Sequence, residues 1–427
     1  MFKKIRLALV LLGSFLLSSC QAYSVGSDSL PSAPSASPKQ DQVVLEFWHT
    51  YSDIEAHVFT TEVLPLFEKE HPNIVIHAVR QDYTTQLNDN IKAAVAENKQ
   101  PDVMRMDIIW VPQFAKSGAL ADLSLLPDFA KMKEKFSDTL INTNLYKGQY
   151  YGIPLNTTTM VAIYNKTLLH QAGLTSPPTT FQQLIGAAQQ LKKQDSHISG
   201  ISICCSSPWG MLPYFWTFGG KLLDPEFTHA TGYLDSPESI AAIQKIKKLY
   251  DEQIISHNLI NGDIGGWDGL FGRKILMIDE AHWFYIVNST DTNQKYLQDT
   301  EIGLFPSDLA PGTSIIGGEN LVMFKNSAHP QETWTFMKWM ASEKPQEIMA
   351  KTGLIPSIKD FQTDKLSPTF QMYVQQLQHA KPRPAVPEWS SIDPIFAKMM
   401  EKVLTNEEDI QGAVHRTAVT IDQLLTQ

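Results

Sequence analysis

The chain has little of what marks most enzymes and nucleic-acid binders. Only three of its 427 residues are cysteine, and its 35 Lys and Arg are outnumbered by 45 Asp and Glu, for a formal net charge of −10. That balance leaves no broad basic face for nucleic acid or anionic lipid. There is no HExxH helix, no G-x-S-x-G elbow, no Walker A loop and no dinucleotide fingerprint, so the common metalloprotease, hydrolase and nucleotide-binding classes lack their signatures. His49, Asp53 and His57 lie four apart, but His49 precedes the expected helix start, so the three need not share a face and no metal site is expected. Cys204 and Cys205 are adjacent, which matches neither a zinc nor a thioredoxin spacing nor an ordinary loop-closing disulfide. Buried thiols and a strained vicinal pair both remain open. No 20–50-residue repeat is present.

What is there describes a globular, exported protein. A length of 427 residues exceeds what one growing core accommodates, so two domains are expected. Hydrophobic residues at 43% and charged residues at 19% supply well-packed interiors. The N-terminus is basic at Lys3, Lys4 and Arg6, then apolar from Leu7 to Leu17. This run is too short for the roughly 20 residues of a membrane-spanning helix and reads as a secretion signal over 1–19. Leu17-Ser18-Ser19-Cys20 resembles the lipobox of bacterial lipoproteins, in which Cys20 becomes the acylated mature N-terminus and ties the protein to the bilayer. Residues 20–40, rich in Ser, Pro and Ala, then form a mobile tether.

From residue 41 the pattern alternates. VVLEFW (43–48) reads as a strand, with Asp53 as a plausible cap of the helix that follows and Pro65 as its kink or restart. Strands are expected near 73–79 and 102–106, with a helix between them, and parallel pairing follows from the alternation. Ligands in such sheets bind beyond the carboxyl ends of the strands, which places His49, Thr50, Tyr51, Asp107 and Trp110 at one edge. Later, Thr180 caps a helix over 181–193, and Asp235 or Ser236, with Pro237 at the first helical position, opens one with Ile240, Ile243, Ile246 and Tyr250 on a single face. A strand over 315–324 is interrupted by Gly317-Gly318-Glu319-Asn320, a helix starts at Pro330, and the C-terminal quarter is mainly helical. YYGIPLNTTTMVAIYN (150–165) holds two β-prone runs without helical periodicity. It is either a strand crossing between two bodies or a surface hairpin.

Aromatic residues recur beside small or polar ones at expected loop starts: Trp48, Tyr51, Trp110, Trp209, Tyr214, Trp216, Trp267, Trp283 and Trp389. Sugar rings present flat C–H faces and hydroxyl rims, so a carbohydrate site needs aromatic platforms together with carboxylate, amide or guanidinium partners. Core packing accounts for any one of these rings equally well. Paired glycosidase carboxylates are set by the fold and not by spacing, but the strand count and helical C-terminus suit a (β/α)8 barrel poorly.

FWHTYSD, PLFEKEHPNIVI, QPDVMRMD, YYGIPLNTTTMVAIYNKTLLHQAGL, FGGKLLD, LDSPESIAAI, GRKILMIDEAHWF, IGGENLVMFKNS, KTGLIPSI and KPRPAVPEW follow one another between residues 47 and 389. In that order and spacing the chain resembles family 1 extracellular solute-binding proteins, the sugar-binding lipoprotein subunits of bacterial ABC importers. The resemblance implies an α/β, periplasmic-binding-protein-like fold (type II-like) with two discontinuous lobes, 41–155 plus 304–350 and 156–303 plus 351–427, closing on ligand between them. It implies a monomer without cofactor or catalytic residues, whose partners are a carbohydrate and a membrane permease. The positions matching the family's ligand-contact regions are His49, Tyr51, Asp107, Asn156, Trp209, Trp283, Gly318, Glu319, Arg383 and Trp389. Asn156 stands where an acidic residue is frequent, and Ala281-His282 where Gly-Pro often precedes the Trp, so no particular sugar carries over. A binding protein for a polyamine or metal chelate, and a secreted glycosidase, are the alternative readings.

Overall fold

The computed structural model describes residues 42–84, 86–262, 264–289, 293–308 and 311–426; the expected signal, Cys20 and the whole tether lie outside them. In chain order the strands are β1 Val43–His49, β2 Ile74–Arg80, β3 Val103–Asp107, β4 Leu145–Tyr146, β5 Gln149–Tyr150, β6 Gly152–Thr159, β7 Val161–Asn165, β8 Ser199–Ser202, β9 Ile275–Glu280, β10 Thr300–Gly303, β11 Ser314–Met323, β12 Ile355–Pro356 and β13 Ala380–Pro382. Among the described residues these make two principal sheets. The first runs β12-β6-β11-β3-β1-β2, with β13 beside β11, and the second runs β10-β7-β9-β8. β4 and β5 form a small separate hairpin. No helix of the described residues is long and apolar enough to cross a membrane.

The stretch 150–165 carries the chain from the first sheet to the second. β6 pairs with β11 and β12, whereas β7 pairs with β9 and β10, and the changeover falls at Met160. The two strands do not pair with each other, so the hairpin alternative falls away. Every residue of both is buried, as expected of strands covered on both faces. The return path leads from β10 to β11.

Each sheet has its own packing. Leu45, Phe47, Phe59, Phe67, Phe336 and Met337 fill one face of the first sheet, and Met104, Met106, Trp110 and Phe114 the other. The second sheet packs Tyr164, Leu184, Phe215, Ile243 and Trp389 on one side and Ile163, Leu270, Phe284 and Tyr373 on the other. At 25 cal/mol per Å², burying each such large side chain contributes roughly 1.5–3 kcal/mol. These two sets are the physical reason that the chain builds two bodies.

Local signals mostly land where expected. Thr180 accepts from the Gln183 N–H at 3.1 Å while Gln183 answers to the Thr180 N–H, a capping box that starts the helix Phe181–Gln194. Ser236 caps Pro237–Asp251, with Ile243 and Ile246 buried. The first helix differs by one residue. Ser52, not Asp53, is the cap, because Glu55 lies three residues on and returns a bond to the Ser52 N–H at 2.8 Å. Helical structure runs on from Asp53–Val58 through a π-helical turn, Phe59–Val63, into Leu64–Glu70, so the chain does not restart at Pro65, and the change of helix type falls just before it.

β11 is continuous, but its register on β6 shifts between Glu319, opposite Asn156, and Asn320, opposite Pro154, so that β6 carries the extra residue, Leu155. Gly318 has a φ of +126°, and a Cβ there would sit 2.4 Å from the Asn156 carbonyl oxygen and 2.7 Å from the Thr157 Cα. Both neighbours are backbone and have nowhere to go. Gly318→Ala is expected to lower stability by about 2–3 kcal/mol; urea unfolding measures it, and an unchanged midpoint would contradict the strain.

Candidate functional site

The carboxyl ends of β1 and β3, the middle of β6 and the Glu319 position of β11 converge on one buried cluster. Its centre is Arg105, on β3, 3% exposed at the side chain. Its Nη2 donates to Glu319 Oε2 at 2.7 Å, its Nη1 to Thr50 Oγ1 at 2.6 Å and its Nε to Asn156 Oδ1 at 3.3 Å. Asn156 Nδ2 donates to the same Glu319 oxygen at 2.6 Å, and the guanidinium lies 4.5 Å over the Tyr51 ring. Burial pushes the Glu319 carboxyl up while the Arg105 charge pulls it down, with a net rise. Charge-assisted bonds of this kind are the strong ones, and they fix the floor of the site in one geometry.

The wall beside this floor is Asp107. Tyr83 donates its hydroxyl to Asp107 Oδ2 at 2.6 Å, and the Ile109 N–H donates to Oδ1 at 3.0 Å. The Tyr83 ring is stacked on Trp110, 5.7 Å between centroids and 9° from parallel, and stays 57% exposed, so an aromatic face is presented rather than buried. Arg383, just past β13, lies 3.8 Å from Asp107 Oδ1 and 5.3 Å over the Trp209 ring. Its Nε is buried and has no protein partner.

The second sheet supplies the facing side. Trp209 begins the helix Pro208–Thr217, and Trp283 follows the end of β9; their rings lie 6.1 Å apart at 31°. Both are half-buried. Trp209 reaches the first sheet, where a Cβ on Gly317 would come within 2.9 Å of its ring. Only glycine lets the indole approach β11 that closely. His282 Nε2 lies 3.5 Å from Glu55 Oε1, and its Nδ1 lies 3.1 Å from Thr158 Oγ1, so a group just past β9 rests on two elements of the other body. Lys116 with Glu388, at 2.6 Å, and Ser390 with Gln113, at 3.3 Å, add further contacts between the bodies.

The expected residues divide into those that meet here and those that do not. Asp107, Asn156, Glu319, Trp209, Trp283 and Arg383 meet, and Gly318 joins them through its backbone, accepting from the Ile108 N–H at 3.2 Å. His49 is buried in the first core, its imidazole packed among Phe47, Tyr51 and Phe59, whereas Tyr51, equally buried, joins the cluster from beneath, its ring under the Arg105 guanidinium. Burial, with the charges of Arg105 and Arg80, holds His49 down at about 3, so it is a neutral packing residue. Trp389 is 0% exposed within the second core and has no free face for stacking. Sequence reasoning passed over Arg105, Tyr83, Glu55 and His282. The one available signal was a cation inside the strand VMRMD, apolar apart from it and the closing Asp107.

No cluster that could hold a metal ion occurs among the described residues. A cavity of about 590 Å³ lies elsewhere, lined by Pro177, Thr180, Leu304, Phe305, Asp308 and Met372. Its Asp308 is already engaged by the Gln182 N–H at 3.0 Å and Lys245 at 3.3 Å, and it contains none of the convergent polar groups described above.

Below Trp283, Asp279 is fully buried and accepts from the Tyr214 hydroxyl at 2.8 Å. Burial first, then the charges of Glu280 and Cys205, push its carboxyl up to about 8. Below about pH 4 the folded and unfolded forms are both protonated; between there and pH 8 only the unfolded carboxyl ionises, so Asp279 favours unfolding as pH rises. His49 acts oppositely, losing stability as pH falls from 6.5 toward 3, because only the unfolded imidazole takes the proton. Asp279→Asn is therefore expected to remove the part of the decline in melting temperature that runs from about pH 4 to pH 8, while leaving the loss that His49 brings as pH falls; a decline over pH 4–8 unaltered by the substitution would contradict the assignment.

Two sheets joined by strand crossings, with polar and aromatic side chains converging between them, define a two-body ligand receptor. The chain belongs to the bacterial extracellular solute-binding protein family, whose profile matches residues 65–378. It is 25% identical over 329 residues to the maltotriose-binding protein of Pyrococcus abyssi, covering 72% of this chain and 66% of that one. It is 23% identical over 328 residues to the diacetylchitobiose binding protein DasA of Streptomyces coelicolor, covering 72% of each. Among solved structures, the GacH receptor of Streptomyces glaucescens superposes with a TM-score of 0.77 at 24% identity, over 90% of this chain and 98% of that one. The sugar-binding protein MalE of Xanthomonas citri gives 0.79 at 20% identity, with the same coverage. The fold is α/β and periplasmic-binding-protein-like.

Proposed function

We propose that the protein is the substrate-binding subunit of an ABC importer, a non-enzymatic receptor that captures a mono- or oligosaccharide between its two bodies and hands it to a membrane permease. The observation that carries this is the pairing of Trp209 and Trp283, beside the second sheet, with Asp107, Asn156 and Glu319 on strands of the first sheet and Arg383 just past β13 at its margin. Rings suit sugar faces, and oriented charged groups suit hydroxyl rims. Relatives that bear maltotriose- and diacetylchitobiose-binding names support the same class.

Charge argues against a cationic solute. Glu319 is already neutralised by Arg105, and Asp107 is held by Tyr83 with Arg383 nearby, so a polyamine or metal ion would meet carboxylates that are already occupied. A neutral polyhydroxylated ligand needs no free countercharge. The mechanism is a population shift: a sugar that touches both bodies only when they approach favours the closed form by the difference in its affinity for the two. The lobes in this reading are 41–155 with 304–350 and 156–303 with 351–427, except that the rest of β6 through Thr159, and β12 and β13, belong to the first sheet, so the crossing at Met160 is the hinge. Acylation at Cys20 would hold this monomer on the extracytoplasmic face of the membrane.

A thermal-shift screen tests the class of ligand. Neutral oligosaccharides at about 100 times Kd should stabilise by roughly 2.7 kcal/mol, a rise of several degrees, whereas polyamines, amino acids and divalent ions should leave the melting temperature unchanged. Stabilisation by a polyamine or a metal ion, and by no sugar, would overturn the reading.

A further inference from the structure

Cys204 and Cys205 occupy the turn between β8 and the helix that carries Trp209, a place the binding function leaves unexplained. Both are free thiols with Sγ atoms 2.9 Å apart, and Cys204 is exposed. Cys205 Sγ lies 3.1 Å from the Ser207 hydroxyl at the head of Pro208–Thr217, a helix whose capping residue makes no side-chain cap bond of its own. The turn has no slack around the pair: a Cβ on Gly210 would fall 2.5 Å from the Cys205 carbonyl oxygen and 3.1 Å from Cys204 Sγ.

The environment separates the two sulfurs. The bond from Cys204, followed by the Ser207 hydroxyl and the Gly210 and Ser207 N–H groups, holds the Cys205 thiol below the usual range against the opposing effect of burial. The partnership with Cys205, burial and the carboxylates Asp279 and Glu280 push Cys204 up. Thiolates at helix N-termini are the reactive ones.

We propose that Cys204 and Cys205 form a reversible redox couple, a modification site at the rim of the cleft that takes small-molecule disulfides as its oxidant. The Cys205 thiolate attacks one sulfur of the external disulfide, forming a mixed disulfide and releasing one thiolate, which takes up a proton. Cys204 then loses its proton and attacks the Cys205 sulfur, expelling the second thiolate, which leaves as a thiol. Two protein thiols are oxidised and one external disulfide is reduced to two thiols. Neighbouring Cα atoms across a trans peptide are about 3.8 Å apart, closer than the roughly 4.4–6.8 Å usual for disulfides, so the closed ring is strained and easily reduced. Reversibility follows from that strain. Trp209 lies in the helical turn whose head the pair occupies, so closing the ring alters its seat against Gly317 and Arg383.

The test treats the purified full chain with oxidised glutathione and reads the tryptic peptide 194–221, which carries both thiols and excludes Cys20. The expected product is two hydrogens lighter, carries no glutathione, and is restored by reduced glutathione. Cys204→Ser should instead accumulate one stable glutathione adduct on Cys205, and Cys205→Ser should react about tenfold more slowly or less. A peptide that stays unoxidised, or that keeps a glutathione adduct in the unmutated protein, would overturn the couple. The link to the cleft rests on the sugar-binding reading: oxidised and reduced protein should differ about threefold or more in sugar affinity, a difference absent from Cys204→Ser. Equal affinities despite ring closure would overturn that link. Failure of any sugar to bind would count against the proposed function, while the peptide mass would still decide the couple.

Discussion

Arg105→Ala is expected to cost about 3–5 kcal/mol of folding stability, the largest loss of any single substitution at the cleft floor. The side chain is nearly inaccessible and makes three charge-assisted bonds, to Glu319, Thr50 and Asn156. Removing it leaves the Glu319 carboxylate, 18% exposed, without its cation and strips the Tyr51 ring of the guanidinium above it. An unpaired buried charge costs more than the pair contributes, so Arg105→Ala with Glu319→Gln should recover part of the loss. Urea unfolding of the single and double variants measures both. A single variant as stable as the parent would show that the network is not buried in solution.

Trp283→Ala is expected to weaken sugar binding at least about tenfold, near 1.4 kcal/mol, with the fold intact. The indole is half-buried, heads the short helix Trp283–Val287 and packs against Trp209 rather than deep in either core. Truncation therefore removes contact area for a ligand without opening a large interior cavity. Phe284, the next residue, is fully buried and carries the packing at that corner. Calorimetric titration gives the affinity, and a melting curve of the apo variant checks the fold. An unchanged affinity would take Trp283 out of the site.

Much of the fold was legible because it is written in local chemistry. Ser236-Pro237, Thr180 with Gln183 and the glycines of β11 each act through neighbours a few residues away. The crossing at 150–165 needed more, since crossing strand and hairpin share the same residues and differ only in which strands they pair with. The site was legible in part, for a related reason. Asp107, Trp209 and Trp283 stand at strand or helix ends, where side chains can project outward, and Glu319 stands mid-strand beside the register shift of β11. Arg105 and Glu319 are 214 residues apart, and nothing near either one announces the other. His49 and Trp389 also flank strand or helix ends, but the turn of the backbone directs their rings into the cores. Which way a ring points at such a boundary is a tertiary property, and residue type alone does not carry it.

The central claim is that the cleft binds an intact carbohydrate and releases it unchanged. It is tested most directly by calorimetric titration of the full-length protein with the best oligosaccharide from the thermal screen, followed by chromatography of the recovered sugar. The account predicts saturable binding of one sugar per protein, weakened by Trp283→Ala, with the oligosaccharide recovered at its original length after long incubation at neutral pH. Shortened products would identify a glycosidase, and failure of every sugar to bind would contradict the receptor described here.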